Sequence, residues 1–175
     1  MNSSEQSWTV RIGKSYSFYL ERNDKMIQAL QILPQILTSN TDNINFSSSE
    51  RTRSATCCGW LQYTPGTSNF TIIGGGKYEV SFNANVTSET AGSLALALKS
   101  SLGDDVEGTE MDTVIAAAGD YQNISFTKII ELCPRVNSTF AIGSLATIGG
   151  VTPAVETEIP TIKDANLIIR RLSGN

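Results

Sequence analysis

The sequence predicts an all-β fold, an antiparallel jelly-roll sandwich behind a short N-terminal strand-and-helix arm. Two observations carry that expectation. Over 76–86 the chain alternates without a break, with Tyr78, Val80, Phe82, Ala84 and Val86 on one face and Lys77, Glu79, Ser81, Asn83 and Asn85 on the other. That period of two marks a half-buried strand. From Ile44 to Leu172, strand-like runs recur about every ten residues with turn residues between them and no helical period, the pattern of a sandwich or jelly roll.

In chain order, 8–12 alternates as a short strand would, and Tyr16, Phe18 and Tyr19 form an aromatic cluster. Residues 20–33 read as a helix. Met26, Leu30, Leu33 and Leu37 follow one another at spacings of four, three and four, the seam of a short coiled coil, and Pro34 ends it. An amphipathic helix lying on the body or a partner, and a self-associating helix, both fit. The polar break at 39–43 sets a boundary between an arm, 1–43, and a body, 44–175. In the body, strands are expected at 44–46, 59–63, 69–73, 76–86, 92–99, 113–118, 121–132, 139–148 and 165–172. Thr64, Pro65, Gly66 and Thr67 make one turn, and Gly74, Gly75 and Gly76 make a tight turn or bulge feeding the long strand. A strand rather than a helix follows those glycines, so they are no phosphate cradle.

Net charge is −4 and charged residues are 17% of the chain, below the usual quarter or so. Nothing favours a nucleic-acid partner or an anionic membrane. No apolar run approaches the length of a membrane span, and the first residues lack the apolar core of a signal peptide. Cys57, Cys58 and Cys133 are the three cysteines. They cannot all pair within one chain, and free thiols in a reducing compartment are the expectation.

The alternating strand resembles a known family. Phe70 followed by Gly76, Tyr78, Val80 and Phe82 looks like the G-x-Y-x-V-x-F strand of the tumour necrosis factor-like jelly roll, the fold of the complement globular head. The leucine-rich strand after it, the turn at Gly119 and Asp120 before a long strand, and the apolar C-terminal strand fit the same order. More narrowly, 83–88, 92–98, 118–120 and 166–172 resemble small proteins of Firmicutes phages and prophages, read as virion decoration, head-fibre or tail-fibre components. The similarity spans about 44–172.

The resemblance implies a ten-strand sandwich assembled as a homotrimer and no shared catalytic residues. Candidate trimer-interface residues are Tyr78, Ser81, Asn83, Tyr121 and Phe126; Met26, Leu30, Leu33 and Leu37 are candidates for an anchoring arm that meets other virion proteins. The small uncharged side chains of Ser81, Asn83 and Asn85 suit packing against another subunit. Localisation in a virion is then expected. The alternative is a trimeric carbohydrate-binding head on a bacterial cell or spore surface. Trp8, Trp60, Tyr63 and Tyr121 could stack on surface glycans or fill a trimer interface, and core packing is the commoner fate of such single aromatics in strands.

Remaining constellations are weak. The acidic loop 103–112 offers oxygens for Ca²⁺, yet its spacing does not match a helix-loop-helix calcium loop, and a solvated loop is the simpler reading. No cofactor and no metal are expected. Asn-x-Ser/Thr triplets begin at Asn45, Asn69, Asn85, Asn123 and Asn137, several of them inside expected strands. The chain has no His, so the usual base for nucleophilic catalysis is missing. No carboxylate pair is singled out by spacing, and the expectation is a protein that is not an enzyme.

Overall fold

Alternating apolar residues build strand after strand. The computed structural model describes residues 26–37, 42–51, 59–134, 136–145 and 160–174. Among them run β1 (Met26–Gln31), β2 (Gln35–Ile36), β3 (Ser48–Arg51), β4 (Leu61–Tyr63), β5 (Phe70–Ile72), β6 (Gly76–Thr87), β7 (Gly92–Ser100), β8 (Met111–Ile115), β9 (Gln122–Leu132), β10 (Ser138–Ser144) and β11 (Thr161–Gly174). They form two antiparallel sheets. The first has the order β3-β1-β11-β6-β9, with β2 also on β11; the second has the order β4-β5-β10-β7-β8. Apart from the consecutive pairs β4-β5 and β7-β8, neighbours in a sheet are distant in sequence, as in a jelly roll.

Between the sheets lies one apolar core. The inward set of β6, Tyr78, Val80, Phe82, Ala84 and Val86, is at most 2% exposed. It meets Leu94, Leu96 and Leu98 of β7, Phe70 and Ile72 of β5, and Phe140 and Ile142 of β10. Aromatic rings fill one region of the core. Tyr63 stacks on Phe70 at 4.5 Å, Phe46 meets Phe70 edge-on at 5.4 Å, and Trp60 stacks on Tyr78 at 5.6 Å. The Tyr63 hydroxyl donates to the Phe46 carbonyl, so its polar end is satisfied inside the core. On the opposite face of the second sheet, Ala95, Ala97 and Leu145 form a smaller buried cluster.

The glycine run works by close approach. A Cβ on Gly75 would stand 2.6 Å from the Pro134 backbone nitrogen, closer than any side chain tolerates. Only glycine lets the entry to β6 pass under the chain leaving β9.

The expected helix over 20–33 is corrected where the structure describes it. Residues 26–31 are β1, paired to β11 from Met26↔Arg170 to Gln31↔Ala165 and to β3 on its other side. The same apolar residues satisfy a period of two, since Ile27, Ala29 and Gln31 are buried while Met26, Gln28 and Leu30 are half-exposed. In a short apolar run, sheet pairing overrides helix propensity. The sandwich therefore takes in residues from Met26 onward and not only from Ile44. The expected strand at 8–12, the aromatic cluster at 16–19 and the first part of the expected helix lie outside the described residues.

Smaller differences follow the same logic. In place of the strand expected at 44–46 there are only single bridges at its margins, Asn43↔Gly143 and Phe46↔Thr67. β8 stops at Ile115, and Ala116 to Ala118 are exposed in the turn before β9. β3 had no signal in the sequence beyond serines, and β11 starts four residues earlier than expected because a bulge between Ile162 and Asp164 breaks its alternation.

Candidate functional site

Strand register places the outward residues of β1, β11, β6 and β9 in rows across the first sheet. One row reads Leu30, Asn166, Asn83, Ser125; the next reads Gln28, Ile168, Ser81, Thr127. These two rows contain no charged residue. Toward the Gly76 end come Met26, Arg170, Glu79 and Ile129, then Lys77 and Glu131. Toward the other end comes the row Asp164, Asn85, Asn123. Period-two alternation puts all of them on the face away from the core.

The polar side chains bond to one another across strands. Gln28 Nε2 donates to Asn166 Oδ1 at 3.1 Å, and the Ser81 and Thr127 hydroxyls meet at 3.0 Å. Asn83 Nδ2 donates to Asn123 Oδ1 at 3.1 Å, Asn123 Nδ2 to Asn85 Oδ1 at 3.1 Å, and Asn85 Nδ2 to Asp164 Oδ1 at 2.8 Å. The ion pairs lie at the Gly76 end, Arg170–Glu79 at 3.6 Å and Lys77–Glu131 at 3.5 Å, and at the other end the Asp164 carboxylate accepts from Asn85. Among the bonded rows sit Leu30 and Ile168, half-buried although they face outward. The result is a face that is polar yet largely self-satisfied. Covering it costs less than covering free polar groups, because its internal bonds persist.

The expected interface residues divide. Ser81 and Asn83 lie at the centre of this face, and Asn83 is exposed. Tyr121 is 53% exposed just ahead of β9, with the Lys163 ammonium 4.4 Å from its ring centre. Tyr78 is corrected. Its side chain is wholly buried, and its hydroxyl donates to the Gly74 and Gly75 carbonyls, so it has no surface to offer a partner. Phe126 points inward on β9, packs at the margin of the core and lies 6.0 Å from the Phe82 ring. The arm residues divide too. Leu37 is fully buried in the core, Met26 and Leu30 belong to the face just described, and Leu33 is 66% exposed in the turn after β1, beside Ile32 and Ile36.

Sequence reasoning missed half of the face. Gln28, Asn123, Thr127, Asp164 and Asn166 complete it, and the alternation of β9 carried that signal for Asn123 and Thr127. For Gln28 no signal existed once its strand was read as a helix. Asn85 and Asn123, each the start of an Asn-x-Ser/Thr triplet, lie on paired strands with both side-chain amides bonded.

The acidic loop joins β7 to β8. Burial pushes the Asp105 carboxyl up from its ordinary value; Lys99 opposes the shift, and Glu110 and Asp104 add to it. Among the described residues no group of three His, Cys, Asp or Glu side chains is placed to hold a metal ion. Of the aromatics considered for sugar stacking, Trp60 and Tyr63 are buried, and Trp8 lies outside the described residues. Cys133 is exposed just past β9.

No family model and no curated protein sequence matches the chain. Solved structures do. The globular domain of zebrafish complement 1qA protein aligns over 86% of this chain and 99% of its own, at 13% identity and a TM-score of 0.56. Eiger TNF from S. frugiperda aligns over 86% and 95%, at 8% identity and the same TM-score of 0.56. The fold is the tumour necrosis factor-like jelly roll. At such identities the likeness is one of fold. In this TNF-like jelly roll the bonded polar face belongs to the sheet that carries β6, the strand on which the sequence resemblance rests.

Proposed function

We propose that this chain is a non-enzymatic structural protein of a phage virion, a capsid decoration or head-fibre component that displays a trimeric TNF-like head. The observation that carries the trimeric head is the outer face of the first sheet. Its central rows are uncharged and hydrogen-bonded among themselves, and they include the half-buried Leu30 and Ile168. Such a face suits a second and third copy of itself, since burial adds apolar contact without stranding a charge. The virion role is supported by the resemblance of 83–88, 92–98 and 166–172 to phage proteins. With Met26 to Leu37 built into the sandwich, attachment to the particle falls to residues ahead of β1. Three copies on one anchor would make weak contacts count through effective concentration.

Light scattering on the purified chain tests the head. A mass of three times 18.8 kDa supports it, and a monomer at micromolar concentration contradicts it. Particles lacking the protein, mixed with the full chain or with a chain shortened to residue 26, test the role. The full chain should bind and the shortened one should remain folded and free in solution. A second reading, a glycan-binding surface head, is favoured by the exposed Tyr121 ring. Glycan binding lost on Tyr121→Ala, with no binding to particles, would favour it over the virion.

A further inference from the structure

β9 ends the first sheet. Among the described residues it is paired to β6 alone and is 11 residues long, whereas the other terminal strands β3, β4 and β8 have 4, 3 and 5 residues. A long free edge is a template for strand addition. The sequence of β9 sharpens the hazard, because Ile124, Phe126, Thr127, Ile129 and Ile130 are β-branched or aromatic and no proline interrupts them.

One inward residue of β9 breaks the pattern. Register sets Ile124, Phe126, Lys128, Ile130 and Leu132 opposite the buried positions of β6, with Lys128 opposite Val80. Four of the five are apolar and packed in or against the core. An apolar side chain at 128 would extend that stripe, so a lysine there works against local packing. The structure shows where its charge goes. Lys128 is half-buried, and its ammonium lies against Gly108 in the acidic loop, 2.9 Å from where a Cβ on that glycine would stand. Gly108 has a φ of +72°, so its missing side chain both permits the turn and leaves room for the ammonium. From an inward position on the end strand the ammonium thus reaches a loop carrying Asp104, Asp105, Glu107 and Glu110.

We propose that Lys128 closes the β9 edge to strand addition. A strand from another copy laid along that edge would block the exit of the ammonium and trap it between the sheets, where an unpaired charge is strongly disfavoured. Pairing between copies along the β9 edge is thereby disfavoured. The inference goes beyond the proposed trimer and holds equally for a monomer.

The test compares the full chain with Lys128→Met, Lys128→Gln and Lys128→Arg under reducing conditions, by light scattering across a concentration series and by amide hydrogen exchange. Lys128→Met, which keeps the stem and removes the charge, should increase species larger than the wild-type assembly about tenfold or more. It should also protect β9 amides that exchange quickly in the wild type. Lys128→Arg should behave as the wild type. Lys128→Gln keeps a polar end, should fold even where the methionine variant does not, and should fall between them. Wild-type size distributions and exchange for both folded neutral variants would overturn the proposal, as would wild-type β9 edge amides already protected by pairing between copies.

Discussion

β6 and β9 are neighbours of nearly equal length, paired residue by residue from Gly76↔Leu132 to Val86↔Gln122, and both alternate. Their fates differ. In β6 every inward apolar side chain is closed off, whereas β9 leaves Phe126 and Leu132 partly exposed and admits a lysine on the same face. Alternation in sequence sets which way a side chain points; position in the sheet order sets how deeply it is buried. β6, flanked by β11 and β9, has no open side, and β9, at the end of the order, has one. The outward faces differ as well. On β6 the outward Glu79, Ser81 and Asn85 are half-buried between bonded neighbours while Lys77 and Asn83 are exposed, and on β9 every outward residue from Asn123 to Glu131 is exposed.

Five substitutions sharpen that contrast. Phe82→Ala should destabilise the fold by about 3–5 kcal/mol, and its register partner Phe126→Ala by about 1–2 kcal/mol, since the cavity at the margin of the core can collapse or fill with water. Urea unfolding of both variants measures the difference; equal costs would erase the distinction between centre and edge. Gly75→Ala, which drives a methyl group into the Pro134 backbone, should cost about 2 kcal/mol or more in the same assay. Asp105→Asn should stabilise the protein modestly near pH 7. The folded-state pKa of Asp105 is raised by burial, so ionisation opposes folding. Its unfavourable contribution is absent below the ordinary carboxylate range and fully present above the raised value. Thermal melts of wild type and variant should therefore converge in acid and separate as pH rises. Lys77→Ala should change stability by no more than about 0.5 kcal/mol, because the Lys77–Glu131 pair is more than half exposed on both sides.

Much of the fold was legible in the sequence because alternation is local. Residues 76–86 announced both the strand and its two faces, and 92–99 and 121–132 did so almost as plainly. The region around Met26 was not legible. Met26, Leu30, Leu33 and Leu37 satisfy helical spacing, and only the pairing of β1 with β11, some 140 residues away, decides for a strand. The candidate face was half legible for the same reason. Ser81 and Asn83 declared themselves on β6, but the row they belong to exists only once register sets Gln28, Asn166 and Thr127 beside them. Tyr78 was misplaced because an aromatic at the start of a strand reads alike whether it caps a core or meets a partner. Its bonds to the Gly74 and Gly75 carbonyls depend on a turn that no periodicity reveals.

The central claim is that copies meet through the outer face of the first sheet. The most direct measurement is the solution mass of Ser81→Arg beside that of Asp112→Arg, which places the same charge on the exposed side of β8 in the other sheet. The account predicts a trimer for the wild type and for Asp112→Arg, and a folded monomer for Ser81→Arg. A trimer that survives Ser81→Arg unchanged, or one that Asp112→Arg dissociates, would contradict it.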